Sequence, residues 1–220
     1  MDEFIQHYHK FFGLPNGGRS AVPNNQFTFR VSNRGQTLYS VNQQALGLGD
    51  LSLYLKHRVF SESGKKPGVS FRLTMKIPTG DRGDGLGSGS PDFHLDVVLE
   101  KSYKRFHSYT NMGYLVLGPF EPMDSFVQPV AFTFTQAFEV NITHIASVVA
   151  QVQGNTPLFH GTGTEELDGI PLDLVIGFKG TGPRKSAWEH FRWEFAYSED
   201  LLSRGPSVDF SVRFNLGARF

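Results

Sequence analysis

The sequence predicts an all-β chain that forms an antiparallel transmembrane β-barrel, and three observations lead to this fold class. Residues 208–220 alternate between apolar and polar side chains without a break. A strand of this length exceeds the roughly five or six residues typical of soluble proteins, and crossing a membrane needs about 9–11 residues. The chain contains 21 Phe and 24 Gly, which suits many strands joined by tight turns. The predicted connections also alternate between short and long, as they do in transmembrane barrels.

Nine segments show the alternation of apolar and polar side chains. In chain order they are 49–60, 68–77, 91–102, 106–118, 126–140, 142–153, 171–180, 187–198 and 208–220. Segment 68–77 is a clear case, since Phe71 and Leu73 fall on one face and Arg72 and Thr74 on the other. Segments 49–60 and 106–118 follow the pattern more loosely. Successive side chains of a strand point to opposite faces, so each segment predicts one apolar and one polar face.

Residues 1–48 form a region of their own before the first predicted barrel strand, and the barrel covers 49–220. Apolar side chains recur at helical spacing over 2–13, which predicts a short amphipathic helix. Residues 26–32 and 37–41 predict a hairpin whose faces are too polar for lipid. We expect this region to be an extracellular excursion. Its helix either packs on the barrel rim or serves as a lid or partner-binding element.

Composition excludes several classes of protein. The net charge is zero and the pI is near 7.1, so a nucleic-acid partner is not expected. The absence of Cys excludes disulfides, zinc–thiolate sites and thiol catalysis. The apolar runs are too short for a transmembrane helix. The eight His are scattered without metal-ligand spacing, so we expect neither a metal nor another cofactor.

Charged side chains are concentrated on the polar face of the predicted strands, and a barrel turns that face toward its lumen. The predicted lumen-lining residues are Lys56, Arg58, Arg72, Lys76, His94, Asp96, Glu100, Asp173, Lys179, His190, Arg192, Glu194, Asp209 and Arg213. Opposite charges are expected on neighbouring strands, with Asp173 beside Arg192 and Glu194 beside Arg213. Two interpretations stay open: such pairs brace the wall, or they form a lining that selects what passes.

No catalytic constellation is visible, so we expect no enzyme activity. An outer-membrane phospholipase needs His and Ser two residues apart on the lipid-facing side of a strand. Two residues after His144 the chain has Ala146 instead of Ser. The Gly- and Asp-rich segment 79–90 lacks the lysine of a P-loop and the oxygen spacing of an EF-hand. That segment therefore reads as a flexible surface loop. His94 and His190 are interpreted as hydrogen-bonding groups of the lumen.

Several stretches of the sequence suggest a family. They are MDEFIQHYHKFFGLPNGGR, GLGDLSLYLKHRV, LTMKIPTGDRGDGLGSGSPDFHLDVVLEK and the terminal RF. Together they resemble a family of uncharacterised bacterial outer-membrane proteins, which is similar in turn to the outer-membrane barrels of phenol meta-cleavage pathways. The final strand, with Phe214, Leu216 and Phe220, looks like the assembly signal of such barrels. The resemblance implies outer-membrane lipid and the outer-membrane assembly machinery as partners.

The resemblance also implies a longer parent protein, because its members begin with a signal peptide and several further strands. Bacterial single-chain barrels have an even number of strands, so nine predicts a twelve-stranded parent. We expect a barrel of the bacterial outer membrane that acts as a passive channel or uptake pore for small solutes. Aromatic or otherwise hydrophobic solutes are implied by the resemblance alone. The alternative is a structural or envelope-interaction barrel that transports nothing.

Overall fold

A computed structural model describes residues 2–14, 29–41, 45–121, 123–183, 189–202, 205–206 and 210–218. Two helices are present, α1 (Asp2–Phe12) and α2 (Glu165–Asp168). The strands are β1 (Phe29–Asn33), β2 (Gln36–Val41), β3 (Leu51–Phe60), β4 (Gly68–Ile77), β5 (Asp92–Tyr103), β6 (Phe106–Val116), β7 (Val130–Asn141), β8 (Ala146–Asn155), β9 (Leu172–Thr181), β10 (Phe191–Asp200) and β11 (Phe210–Ala218). None of these helices is long and apolar enough to cross a membrane.

The strands β3 to β11 form one antiparallel sheet of nine strands, in which each strand pairs with its neighbours in the chain. The strands β1 and β2 form a separate hairpin. The predicted all-β antiparallel architecture with a short amino-terminal helix is therefore confirmed. The sheet is not closed, because β3 and β11 are its two edges and do not pair with each other.

The sheet is curled around a cavity. Side chains or backbone from all nine of its strands line this one cavity, including Lys56 on the edge strand β3 and Arg213 on the opposite edge strand β11. A flat sheet would hold its two edges far apart, so the sheet must wrap around the space between them. We call the face toward the cavity the concave face and the opposite face the convex face.

One face of the sheet is apolar and the other is polar, as the alternation predicts. The apolar face is the exposed one, whereas a water-soluble protein buries its apolar side chains. On the convex face, Leu73 is 49% exposed and Phe214 is 65% exposed. On the concave face, Ser70 and Asp96 are almost fully buried, at 0% and 1% exposed. Large exposed apolar patches on a soluble monomer mark an interaction surface. The convex face therefore has the chemistry of an interaction surface.

The connections differ in length at the two ends of the sheet. Residues 61–67, 104–105 and 142–145 join strands at one end, whereas 78–91, 117–129 and 156–171 join them at the other. We call the second end the long-loop end. The predicted alternation of connection lengths holds for these six.

Several predicted strand boundaries are wrong, and turns explain two of them. The amide of Ile142 donates to the carbonyl of Ala146 at 3.0 Å, which closes a turn, so β8 starts four residues later than the predicted strand 142–153. Strand β7 starts at Val130 rather than at 126, because Phe126 is held in a turn by the carbonyl of Met123.

The amino-terminal region contains the predicted helix and hairpin. In the hairpin, Arg34 and Gly35 both have positive φ (48° and 81°), which is the backbone of the two-residue turns favoured in β-hairpins. The Tyr39 hydroxyl donates to the carbonyl of Arg82 at 2.6 Å, so the hairpin packs at the long-loop end. Helix α1 buries Ile5 and His9, and Nε2 of His9 lies 3.1 Å from Oε1 of Glu199, near the end of β10.

Candidate functional site

The cavity of the concave face has a volume of about 560 Å³, which is within the range of small-molecule sites. Four of its lining side chains are cationic and two are carboxylates. These are Lys56, Arg72, Lys179 and Arg213, and Glu139 and Glu194. The structure thus brings six of the charged concave-face positions of the sequence pattern together around one space.

On the wall formed by β3, β4 and β5, the charged side chains form ion pairs with one another. Nε of Arg72 donates to Oδ2 of Asp96 at 3.0 Å, and Nε2 of His94 lies 3.3 Å from Oδ1 of the same buried carboxylate. Glu100 binds Arg58 at 2.6 Å and approaches Lys56 at 3.8 Å. These predicted lumen residues therefore form two small ion-pair clusters.

A third pair lies on the wall formed by β7, β8 and β9. Nζ of Lys179 lies 2.6 Å from Oε2 of Glu139, which is only 5% exposed. The Tyr109 hydroxyl donates to the same carboxylate oxygen at 3.1 Å. Two donors thus satisfy a buried charge that would otherwise be costly to desolvate.

The pairing of Asp173 with Arg192 that the sequence predicted is wrong. Asp173 faces Asp200 in the register and accepts a hydrogen bond from Nε2 of Gln153 at 3.1 Å. Arg192 instead lies opposite Thr181 and Gly217. The two residues lie toward opposite ends of the antiparallel β9–β10 pair, which pattern alone does not reveal because register depends on the turn.

The predicted contact between Glu194 and Arg213 is also wrong. Arg213 lies opposite Ala196, while Glu194 lies opposite Lys179 and Asn215. Nδ2 of Asn215 donates to Oε2 of Glu194 at 3.4 Å. Within the described residues, no carboxylate lies within 4.0 Å of a cationic nitrogen of Arg213.

Five further predicted positions lie away from the cavity or outside the described residues. His190 lies in an exposed turn beside Glu189, because β10 begins only at Phe191, and it does not line the cavity. Asp209 and Phe220 lie outside the described residues. Phe214 and Leu216 are on the convex face, where each is 65% exposed.

Lys76 belongs to a separate cluster at the long-loop end. Its ammonium lies 2.5 Å from Oδ2 of Asp92 and 3.5 Å from Oδ2 of Asp50, and it donates to Oγ of Ser88 at 2.5 Å. The amides of Gly80 and Ser88 donate to the two oxygens of Asp50 at 3.0 and 3.1 Å. These two amide hydrogen bonds hold the pKa of Asp50 below its usual range, with a smaller contribution from Lys76.

The Asp50 cluster joins the two motifs GLGD and PTGD–GSGS, which are distant in sequence. A Cβ atom on Gly80 would collide with the backbone of Leu86, and one on Gly87 would collide with the Asp50 carboxylate. Close approach of the backbone thus explains why glycines stand at these positions. The contacts tie segment 79–90 to Asp50, which the sequence analysis did not foresee when it assigned this segment to a flexible surface loop.

Apolar side chains of the concave face are the part of the site that the sequence analysis missed. The residues Val98, Ala137, Val149, Val175 and Ala196 line the cavity between the charged clusters. Val98 and Ala137 are buried, at 6% exposed each. The signal was present as small apolar residues at polar-face positions of the central strands, but charge dominated the pattern.

The described residues define a curled antiparallel sheet with an apolar convex face and a mixed, partly charged cavity. Among them, no group of three or more His, Asp or Glu side chains could hold a metal ion. The profile of the family described as protein of unknown function DUF3187 matches residues 1–220, and the chain belongs to that family. The comparison with curated proteins gave no match.

Proposed function

We propose that this protein is a β-barrel of the bacterial outer membrane that lets small solutes pass through its polar interior. The observation that carries the proposal is the distribution of exposure over the two faces. Phe71, Leu95 and Phe195 are 44%, 50% and 42% exposed on the convex face, while Asp96 and Glu139 are almost fully buried on the other. A transmembrane barrel has this apolar-out, polar-in arrangement, because lipid surrounds it and water fills it.

The length of the strands supports the same placement. Strands β3 to β11 contain 9 to 12 residues each, which agrees with the about 9–11 residues that a tilted strand needs to cross a bilayer. The alternation of short and long connections supports an orientation with the long-loop end outside the cell. The hairpin β1–β2 would then lie on the extracellular side.

Closure of the barrel is part of the proposal. In lipid, unpaired N–H and C=O groups of an edge strand cost several kcal/mol each, so β3 and β11 must gain partners. Three further strands in a twelve-stranded parent would pair both edges. Such a barrel is wider than the eight-stranded kind that side chains fill and narrower than porins of about 16–18 strands. A small polar passage fits this width.

The alternative is a structural barrel whose interior is closed by its own contacts. The ion pairs Arg72–Asp96 and Lys179–Glu139 favour it in part, since they brace the wall. The cavity between them favours a passage, because bracing alone does not require open space of about 560 Å³. We therefore propose transport as the function, with the paired charges as a scaffold.

Conductance across a planar bilayer tests the proposal. We expect the closed barrel, in which the edge strands β3 and β11 have gained partners, to give discrete ion-conducting steps. Replacing Val175 with Trp should fill the cavity and reduce the step size several-fold. The matched control is Ile176→Trp on the adjacent convex-face position, which should leave the step size unchanged. Full insertion without any conductance would favour the structural barrel instead.

A further inference from the structure

The cavity of the concave face contains a guanidinium, that of Arg213, which forms no ion pair among the described residues and lies next to apolar surface. Arg213 lies directly opposite Ala196, and the same register row continues through Gly177 to Val149 on the next two strands. All four positions line the cavity. A ligand group bound by Arg213 would therefore have apolar wall beside it rather than more charge.

Arg213 differs from the other cationic side chains of the cavity. Arg72 is held by Asp96 at 3.0 Å, Lys179 by Glu139 at 2.6 Å, and Lys56 approaches Glu100 at 3.8 Å. No carboxylate of the described residues takes this role for Arg213. Guanidinium groups bind carboxylates through two parallel N–H···O bonds, so Arg213 has the geometry to hold one.

From these contacts we infer that the cavity binds a small organic monocarboxylate with an apolar body. The carboxylate would accept from the guanidinium of Arg213, and the body would lie on Ala196, Val149 and Val175. This inference rests on the proposed function, since it names the class of solute that the passage would take. It also assigns Glu194 a role: its carboxylate lines the same cavity two positions from the row of Arg213 and opposes anion binding.

Hexanoate is a suitable probe, because it combines one carboxylate with a short apolar chain. Equilibrium dialysis of labelled hexanoate against the full chain folded in a nonionic detergent, with protein-free micelles as the blank, measures binding directly. We expect saturable binding of hexanoate. Acetate, which lacks the apolar body, and 1-hexanol, which lacks the charge, should each bind at least tenfold more weakly.

Two substitutions should move the affinity in opposite directions. Arg213→Gln should weaken hexanoate binding at least tenfold, and Glu194→Gln should strengthen it. Arg105→Gln is the matched control, because Arg105 is in the exposed turn 104–105 and outside the cavity. Unchanged affinity in Arg213→Gln, with the fold verified by circular dichroism, would overturn the inference. Equal binding of 1-hexanol and hexanoate would do the same.

The outcome is separable from that of the proposed function. Hexanoate binding without conductance in a bilayer would refute the passage and leave the site in place. Conductance with no saturable hexanoate binding would refute the site and leave the passage in place.

Discussion

Nζ of Lys179 lies 2.6 Å from Oε2 of Glu139, although the two residues belong to β9 and β7 and strand β8 runs between them. Neighbouring strands are about 4.8 Å apart, so this contact spans about two strand spacings. On β8, Ser147 lies opposite Lys179 and Val149 lies opposite Glu139, so the long lysine side chain reaches diagonally across that strand. The pair therefore ties three strands of the curled wall together.

We predict that Lys179→Met destabilises the folded protein by about 1–3 kcal/mol, because it leaves a buried carboxylate without its cationic partner. The double variant Lys179→Met with Glu139→Gln should recover most of that loss, since the buried charge is then also removed. Urea unfolding of lipid-refolded protein measures both. Lys104→Met, in the exposed turn 104–105, is the control and should stay within about 0.5 kcal/mol of wild type. Additive effects of the two substitutions would contradict the coupling.

Substitutions on the two faces should differ in cost. We expect Leu73→Arg, Leu95→Arg or Phe195→Arg to destabilise the lipid-embedded protein by about 2–4 kcal/mol, because each places a charge against lipid near the midplane. Arg192→Ala on the concave face should cost less. The measurement is a refolding titration in lipid vesicles, and equal sensitivity of the two faces would rule out the lipid assignment.

The Asp50 cluster should make the long-loop end sensitive to acid. The folded-state pKa of Asp50 is depressed, so its stabilising effect is complete above the usual aspartate pKa of about 3.9 and is lost as the pH falls through the lower, folded-state value. Hydrogen exchange, corrected for the intrinsic rate, should show protected Gly80 and Ser88 amides near neutral pH and loss of protection in strong acid.

Asp50→Asn is the matched variant for that experiment. It keeps the shape of the side chain but removes both the charge and one acceptor oxygen, so protection of the two amides should already be reduced at neutral pH. Protection in the variant should also become insensitive to acid in this range. Identical profiles for the variant and the wild type would show that other contacts hold the loop.

Ion selectivity should depend on the cationic side chains Arg192 and Arg213 of the concave face. Replacing Arg192 and Arg213 with Gln leaves carboxylates such as Glu194 to set the local field, so the reversal potential in a salt gradient should shift toward cation preference. Replacing Lys104 and Arg105 with Gln removes the same charge from an exposed turn and should shift it less. Equal shifts would place the selective charges outside the cavity.

The sequence predicts which side chains share a face of the sheet. It does not predict which of these side chains contact each other on neighbouring strands. The alternation at Arg72 and Leu73 separates the concave from the convex face, because side-chain direction in a strand depends only on parity. Which charges meet depends on register, and register depends on turn geometry. The turn at 142–145, closed by the Ile142 amide, makes β8 start later than predicted. The residue types in this segment do not indicate a turn.

The polar face predicts a lumen, but not which of its residues line the same cavity, for a related reason. Lys56 and Arg213 are far apart in the chain and on opposite edges of the sheet, and only the curvature of the sheet brings them to the same space. Curvature arises from the accumulated twist of many strand pairs, which local patterns do not encode. The contact between Asp50 and segment 79–90 could not be predicted either, because it depends on the backbone geometry that brings two glycine-containing motifs together.

The nearest-neighbour order of strands has a consequence for how the size of such a sheet can change. Each of the strands β3 to β11 pairs only with the strands before and after it in the chain, so two consecutive strands form a unit. Removing β7 and β8 would join β6 to β9, and these two also run in opposite directions. Duplicating a hairpin would likewise keep every neighbour antiparallel. The number of strands in the sheet can therefore grow or shrink in steps of two, and the remaining strands keep their directions.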